Sequence, residues 1–133
     1  MNSLFSVDTE SPIAVYVQIE NQIQFAIASG KYAPGENLPS VRDMSDMLKI
    51  NANTVTKAYR DLELFGVVQA RRGVGVTVTG KAMKLCGKKV VDMVRRRIRD
   101  AVAEALASGH SAPAIRKMVT AAIESNAKPY AQD

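Results

Sequence analysis

Apolar residues recur at intervals of three and four along five segments of the chain, and this spacing predicts five helices that each bury one face. In the first three segments, the stripes consist of Tyr16, Ile19, Ile23, Ala26 and Ile27; of Val41, Met44, Met47 and Leu48; and of Val55, Ala58, Tyr59, Leu62 and Phe65. A long stripe up to about Ala107 and a shorter one after Ser111 predict the other two helices. Between residues 67 and 78, β-branched residues alternate around two glycines, which predicts a β-hairpin.

Side chains that accept hydrogen bonds from exposed helix amides indicate where the helices start. The predicted starts are Ser11 with Pro12, Ser40 after Pro39, Asn51 or Asn53, Thr79, and Ser111. Gly30 and Gly66 each follow an apolar stripe and predict a helix end. The polar residues 126–133 are expected to be frayed. For the leader, the pattern leaves open whether three apolar residues pack on the core: Leu4, Phe5 and Val7.

The middle of the chain combines a short helix from Ser40, a tight turn, a second helix at about 51–65 and a hairpin at 67–78. This order is typical of a winged helix-turn-helix, in which the second helix enters a DNA major groove. We therefore predict a mainly α fold with a small β-hairpin wing. Residues 1–78 are predicted to be the DNA-binding domain, and residues 79–133 a C-terminal α-helical hairpin that mediates dimerisation.

Polar residues on the exposed face of this unit provide the candidate DNA contacts. Asparagine, threonine and lysine can reach base edges or phosphates from a helix in the groove, and arginines on a glycine-rich hairpin can reach phosphates or a narrow minor groove. The predicted DNA-binding residues are Ser40, Arg42, Asn51, Asn53, Thr54, Thr56, Lys57, Arg71, Arg72 and Gly73. Two other interpretations of the hairpin glycines are turn geometry alone and a nucleotide-binding loop. No helix begins directly after them, which disfavours the second.

Residues 12–78 contain a series of short motifs at fixed spacing. The motifs are Pro12-Ile13-x-Val15-Tyr16-x-Gln18-Ile19, Ile27-x-x-Gly30-x-x-x-Pro34-Gly35-x-x-Leu38-Pro39-Ser40-Val41-Arg42, Asn51-x-Asn53-Thr54-Val55-x-Lys57-Ala58-Tyr59-x-x-Leu62-Glu63-x-x-Gly66-Val67 and Gly73-x-Gly75. This pattern resembles the N-terminal domain of GntR-family bacterial transcription regulators. The resemblance implies operator binding by a dimer, with Arg42 contacting the operator and Gly73 approaching the minor groove. Ala52 stands where many family members carry arginine, so the operator sequence of relatives is not expected to transfer.

The C-terminal stripes leave apolar surface that two helices cannot bury against each other, which predicts a homodimer. The predicted dimerisation residues are Leu85, Met93, Val94, Val102, Leu106, Ile115, Met118, Val119 and Ile123. The short two-helix tail is similar to that of the YtrA subfamily, where it forms the dimer interface. Four arginines at 95, 96, 97 and 99 allow two interpretations: a solvated face paired with nearby acids, or an added anion-binding patch.

Composition narrows the functional class. The 133-residue chain has a net charge of +5 and a pI near 9.5, which favours a polyanionic partner. One cysteine, Cys86, and one histidine, His110, provide no metal cluster or catalytic pair, so neither an enzyme nor a cofactor is predicted. No membrane span or signal segment is found, and we expect a cytoplasmic protein. Any small-molecule effector stays unidentified.

These observations predict a sequence-specific DNA-binding transcriptional regulator. The expected form is a homodimeric repressor that binds a palindromic operator through the recognition helix and the wing. The alternative is a winged-helix module for protein interaction or for nonspecific nucleic-acid binding.

Overall fold

The computed structural model describes residues 5–131, which form five helices and one two-stranded antiparallel sheet. The elements are α1 (Val15–Ala28), α2 (Val41–Leu48), α3 (Ala52–Phe65), β1 (Val68–Arg71), β2 (Gly75–Val78), α4 (Ala82–Ala107) and α5 (Ala112–Ala131). The chain divides into two compact units, with the first ending at Val91 and the second beginning at Asp92. The boundary predicted from the sequence lies closer to the N-terminus, after Val78.

Helix α1 supplies much of the core of the first unit. Ile19, Ile23 and Ile27 are buried on its inner face, as their spacing predicted. The prediction that Ser11 caps this helix is wrong, because α1 begins at Val15 and has no side-chain cap. The Ser11 hydroxyl instead accepts a hydrogen bond from the amide of Ile13, within the turn that precedes the helix.

Helices α2 and α3 have the predicted caps. The amide of Asp43 donates to Oγ of Ser40 at 3.0 Å, and the amide of Asn53 donates to Oδ1 of Asn51 at 2.7 Å. Asn51, and not Asn53, is therefore the N-cap of α3. Gly66 ends α3 with φ +94°, a left-handed conformation that glycine adopts without steric cost.

The turn between α2 and α3 depends on Lys49, which has φ 55° and is the one non-glycine residue with positive φ among those that the structure describes. Its amide hydrogen-bonds to the Ser45 carbonyl and closes α2. On α2, Met44 is fully buried, but Met47 is 47% exposed. The apolar face of this short helix is thus narrower than its sequence predicted.

Strands β1 and β2 form the predicted hairpin. Val68 pairs with Val78 and Arg71 pairs with Gly75, which leaves residues 72–74 as the tip. Val68 and Val78 are buried, whereas the residues near the tip are exposed. The hairpin therefore joins the core at its base and extends from it as a wing.

The leader and the start of α4 complete the first core. Phe5 is buried and stacks on Tyr32 with ring centroids 6.1 Å apart, and Val7 packs partly buried against the same core. Leu4 lies outside the described residues. Ala82 and Cys86 on α4 are fully buried in the same core.

The first turns of α4 explain why the first unit extends beyond Val78. Leu85, which was predicted to lie at a dimer interface, packs partly buried against the core of the first unit. The predicted capping role of Thr79 is also wrong, since its hydroxyl donates to the Gly66 carbonyl at 2.7 Å and α4 begins only at Ala82. Sequence periodicity identified the helix but not the core that its first turns join.

The second unit consists of the rest of α4 and all of α5. Gly109, with φ +90°, lies in the turn between them, and Oγ of Ser111 accepts a hydrogen bond from the amide of Ala114 at the predicted start of α5. The expected fraying after residue 126 is wrong, because α5 continues to Ala131. Residues 132–133 lie outside the described part.

The elements confirm the predicted fold class: a mainly helical chain with a winged helix-turn-helix and two C-terminal helices. Throughout the described residues, no helix combines the length and apolarity needed to cross a membrane.

Candidate nucleic-acid interface

The N-terminal turn of α2 presents the first two predicted site residues. Ser40 and Arg42 are both exposed, but Oγ of Ser40 already accepts the Asp43 amide. The Ser40 hydroxyl proton is still available for a phosphate oxygen. Arg42 lies one residue into the helix, where its guanidinium can extend into solvent beside the helix N-terminus.

The N-terminal turn of α3 carries the next group. Asn51 uses Oδ1 as the helix cap, so its side-chain amide NH₂ is the part free to donate outward. Asn53 is exposed and Thr54 is half-buried. Together they form a small polar surface without charge, of the kind that hydrogen-bonds to base edges in a major groove.

Thr56 has a different environment from its neighbours. Its hydroxyl donates to the Ala52 carbonyl at 3.0 Å, along the axis of the same helix. Thr56 also lines a recess of about 200 Å³ between α3 and the hairpin, together with Arg60 on the next turn. Its hydroxyl proton is therefore used within the helix.

Arg60 is a residue that the predicted site omitted. It is exposed, follows Thr56 by one helical turn and lines the same recess beside the wing. Its spacing of four residues from Thr56 places both on one face of α3, so the sequence could have indicated Arg60 as a site residue. Arg60 therefore places a cation on the side of α3 that borders the wing.

The charge of Lys57 is engaged within the protein. Its Nζ lies 3.3 Å from Oδ2 of Asp61, one turn along α3, and 4.8 Å from the ring centroid of Tyr16 on α1. Tyr16 is half-buried against the core, which supports its predicted packing role. A role of Lys57 in DNA binding stays a prediction, because these contacts hold its ammonium toward α1.

A carboxyl pair lies beside this lysine. The pKa of Glu20 is raised to about 7, mainly by burial and then by a hydrogen bond with Asp61 and by its negative charge, while Lys89 and Lys57 oppose the rise. The same hydrogen bond, followed by Lys57, lowers the pKa of Asp61. Oε2 of Glu20 is buried with no hydrogen-bond donor among the described residues.

The wing presents Arg71, the last residue of β1, and Arg72 and Gly73 at its tip, all of them exposed. Nη2 of Arg71 donates to Oε1 of Gln69 at 3.2 Å, which directs that guanidinium along the strand. Gly73 has φ +79° and open space where a Cβ would stand, so a backbone or a phosphate can approach closely. Val74, 56% exposed, adds an apolar side chain to the tip and is not among the predicted DNA-binding residues.

The second unit has an apolar groove. Ile98, Met118 and Ile123 are roughly half exposed or more, and only Ile115 among the large apolar side chains described in this unit is buried. The groove measures about 700 Å³, and its lining is almost entirely apolar: Ile98, Ala101, Val102, Ala105, Ile115, Met118, Val119, Ala122, Ile123 and Asn126. Of the predicted dimerisation residues, Val102, Ile115, Met118, Val119 and Ile123 lie here. Leu106 lines an adjoining groove, and Met93 and Val94 line neither.

The four arginines of α4 at 95, 96, 97 and 99 are all exposed. Lys57 and Asp61 form the one ion pair within the described part of the chain, so these arginines make none there. Both interpretations of the cluster, a solvated face and an anion-binding patch, stay open. In the same part of the chain, no group of three or more metal-binding side chains comes together.

Comparison with known proteins identifies the family. Residues 15–78 match the family model described as bacterial regulatory proteins, gntR family. The chain is 34% identical to the uncharacterized HTH-type transcriptional regulator YhcF of Bacillus subtilis, over 71% of this chain and 74% of the relative. It is 29% identical to the HTH-type transcriptional repressor YtrA of the same organism, over 80% of this chain and 82% of the relative.

Solved structures agree. A GntR family transcriptional regulator from Listeria monocytogenes superposes with a TM-score of 0.67 at 26% identity, covering 86% of this chain and 97% of the other. YtrA from Sulfolobus acidocaldarius, a GntR-family transcription factor, superposes with a TM-score of 0.57 at 34% identity, covering 76% of this chain and 99% of the other. The DNA-binding domain of AraR in complex with operator ORE1 superposes with a TM-score of 0.50 at 25% identity, covering 55% of this chain and 89% of the other. The chain therefore belongs to the GntR family of bacterial regulatory proteins, as a YtrA-like, DNA-binding transcriptional regulator.

Proposed function

We propose that the protein is a homodimeric repressor that recognises a palindromic operator through α3 and the wing. The observation that carries this proposal is the uncharged polar surface at the N-terminal end of α3, formed by Asn51, Asn53 and Thr54. In helix-turn-helix proteins, the N-terminal residues of the second helix contact base edges. Cations on either side of it, Arg42 on α2 and Arg72 on the wing, supply the phosphate attraction that binding needs.

Each group has a distinct task in this proposal. Asn53 and Thr54 contact base edges and determine sequence preference. Arg42 and the Ser40 hydroxyl hold the phosphate backbone at the start of α2, and Arg71 and Arg72 hold it at the wing, with Gly73 allowing close approach. Thr56 and Lys57 contribute less, since both are engaged with the protein itself.

The apolar groove of the second unit supports dimerisation. Ile98 at 57% and Ile123 at 63% exposure in this groove, with Leu106 at 54% in the adjoining one, form more apolar surface than an isolated soluble chain usually leaves uncovered. A second copy of the same two helices covers it by a two-fold contact. A two-fold protein then binds two half-sites of a palindrome, with the recognition helices about one DNA turn apart.

Repression follows from occupancy. A dimer bound across a promoter blocks polymerase, and no catalytic step is required. The relative YtrA of Bacillus subtilis is described as a repressor, which supports this direction of control. Because its target is bacterial DNA, we place the protein in the cytoplasm.

The alternative, a module for protein contact or nonspecific nucleic-acid binding, differs in its sequence preference. A selection of random duplexes with the purified protein, followed by fluorescence anisotropy across a salt series, separates the two. We expect one palindromic sequence to bind about a thousandfold or more tightly than a scrambled duplex, with a steep salt slope. Equal binding to both duplexes would favour nonspecific binding, and no binding at low salt would favour protein contact.

A further inference from the structure

The wing needs support from outside itself. Its strands have four residues each, and an isolated two-stranded hairpin is at best marginally stable in water. Apolar packing fixes its base, where Val68 and Val78 are buried, but the residues near the tip are exposed. The recess of about 200 Å³ between α3 and the hairpin shows that side chains do not fill the space there. Polar links must therefore determine where the tip lies.

One such link starts on the recognition helix. Oε2 of Glu63, on the last turn of α3, accepts a hydrogen bond from the backbone amide of Ala70 at 2.9 Å. Ala70 is in β1, directly before the wing arginines Arg71 and Arg72. This amide is on the outer edge of the hairpin, where no further strand pairs with it. The bond to a carboxylate is charge-assisted and joins α3 to the wing across the recess.

A second link holds the opposite edge. The segment before α2 runs beside β2, with the amide of Leu38 donating to the Val76 carbonyl at 2.8 Å and the amide of Val78 donating to the Glu36 carbonyl at 2.9 Å. The side chain of Asn37 extends this link toward the tip. Its Nδ2 donates to the Val74 carbonyl at 3.1 Å, and its Oδ1 accepts from the Thr77 hydroxyl at 3.0 Å.

We propose that Glu63 and Asn37 are positioning residues that hold the two edges of the wing, and so set the place of Arg71, Arg72 and Gly73 relative to the recognition helix. This inference rests on the proposed function, because it concerns the orientation of the same DNA-binding surface. Glu63 anchors the wing to α3, and Asn37 anchors it to the segment that leads into α2. The wing is thereby fixed to both other elements that carry predicted DNA contacts.

The sign of the Glu63 effect separates positioning from simple charge. A carboxylate near a DNA-binding surface repels phosphates, so on charge alone its removal would tighten binding. As a positioning residue, Glu63 instead supports binding although it is an acid. Both Glu63 and Asn37 are exposed, so we expect that substituting them changes folding stability little.

Two conservative variants distinguish reach from charge. Glu63→Asp keeps the charge but shortens the side chain by one methylene, so the carboxylate no longer reaches the Ala70 amide. Glu63→Gln keeps the reach and an oxygen acceptor but removes the charge. Glu10→Asp, at an exposed glutamate outside the wing and its anchors, is the matched control.

The experiment measures anisotropy of a duplex selected with the wild-type protein, and hydrogen exchange of the Ala70 amide in the free protein. We expect Glu63→Asp and Asn37→Ala to weaken binding about five- to tenfold, with Glu63→Gln and Glu10→Asp close to wild type. Exchange at Ala70 should accelerate in Glu63→Asp.

Wild-type affinity in Glu63→Asp, or tighter binding in Glu63→Gln alone, would overturn the inference. If the wild-type protein selected no duplex, the proposed function would be contradicted instead. Hydrogen exchange would still test the bond between Glu63 and the Ala70 amide, because an unchanged exchange rate at Ala70 in Glu63→Asp would reject it.

Discussion

The hydroxyl of Tyr59 donates a hydrogen bond to the carbonyl oxygen of Pro39 at 2.6 Å. Tyr59 belongs to α3 and Pro39 lies directly before the capping residue of α2, so this bond joins the two helices of the helix-turn-helix. The tyrosine is 5% exposed, and burial raises the pKa of its hydroxyl. The group therefore keeps its proton through the neutral pH range and acts as a permanent donor.

Tyr59→Phe should lower the free energy of unfolding by about 1–2 kcal/mol, because the carbonyl of Pro39 loses its donor while the apolar ring is retained. Urea unfolding followed by circular dichroism measures this loss. Tyr16→Phe is the control, since the Tyr16 ring remains beneath Lys57 and its stability should change little. Equal urea midpoints for Tyr59→Phe and wild type would show that the bond contributes nothing.

Glu20 should make stability depend on pH. Its pKa is about 7 in the folded protein, against an ordinary value of 4.5, so the folded state binds more protons than the unfolded state between these values. The contribution of Glu20 to stability is then greatest below about pH 4.5 and is lost as pH rises through about 7. The lowered pKa of Asp61 acts in the opposite sense, but only at pH values below its ordinary value of 3.8.

Glu20→Gln removes this titration. Relative to wild type, the variant should gain thermal stability as the pH rises from about 5 to about 8. Thermal melts at intervals across this range measure the difference, with Glu10→Gln as the control for loss of an exposed carboxylate. A difference between Glu20→Gln and wild type that stays constant with pH would contradict the raised pKa.

Substitutions at α3 and at the wing should affect DNA binding in different ways. Asn53→Ala should change the preference among operator sequences, because it removes a contact to a base edge worth about 1–3 kcal/mol. Arg72→Ala should weaken binding to every sequence alike and reduce the salt slope by about 0.9, because it removes a phosphate contact. Arg42→Ala should also weaken operator binding.

Anisotropy with a panel of single-base operator variants, repeated across a salt series, measures both properties. Lys31→Ala, an exposed cation in the loop after α1, is the matched control for loss of charge. If Asn53→Ala left the order of preference among operators unchanged, base recognition would have to come from other residues. Unchanged operator affinity in Arg42→Ala would reject its role.

Ile123→Glu should convert the proposed dimer into a monomer, because it places a charge in the apolar groove of the second unit. Size-exclusion chromatography with light scattering measures the mass over a range of protein concentrations. Ala121→Glu introduces the same charge on α5 at a residue that lies outside the groove lining, and this control should leave the mass unchanged. A dimeric Ile123→Glu protein would place the interface elsewhere.

Two glycines should respond in opposite directions to alanine. At Gly87, inside α4, an added Cβ meets open space, so Gly87→Ala should stabilise the protein by about 0.5–1 kcal/mol through helix propensity. At Gly66, φ is +94° and the added Cβ would lie 3.0 Å from Cε of Lys81, so Gly66→Ala should destabilise it by about 1 kcal/mol or more. Thermal and urea unfolding measure both changes, and a loss of stability in Gly87→Ala would indicate a contact that this chain alone does not make.

The helix-turn-helix could be predicted from the sequence because the interactions that define it are local. Ser40 caps the amide three residues after it, and Asn51 caps the amide two residues after it. Gly66 adopts the left-handed conformation that ends α3. Each depends on a few adjacent residues, whose types the sequence gives directly. The same holds for the apolar faces of α1 and α3.

Local signals failed where a distant partner competed for the same group. Thr79 could cap α4 in principle, but its hydroxyl bonds to the Gly66 carbonyl thirteen residues earlier. The polar face of α3 could not show that Tyr16 on α1 lies under the ammonium of Lys57, whose DNA contact stays a prediction. The periodicity of α4 could not show that Leu85 joins the first core.

The sequence by itself determined the order of elements, their approximate bounds, the winged helix-turn-helix class and most of the exposed polar residues, because helix periodicity, capping and turn chemistry act within a few residues. The tertiary structure decided which of those polar groups are already engaged and what holds the wing in place. Glu63 and Ala70 are seven residues apart, and Asn37 and Val74 are thirty-seven apart. Their hydrogen bonds exist only because packing of α3 against α2 and β1 brings those segments together, and no pattern along the chain encodes such pairings directly.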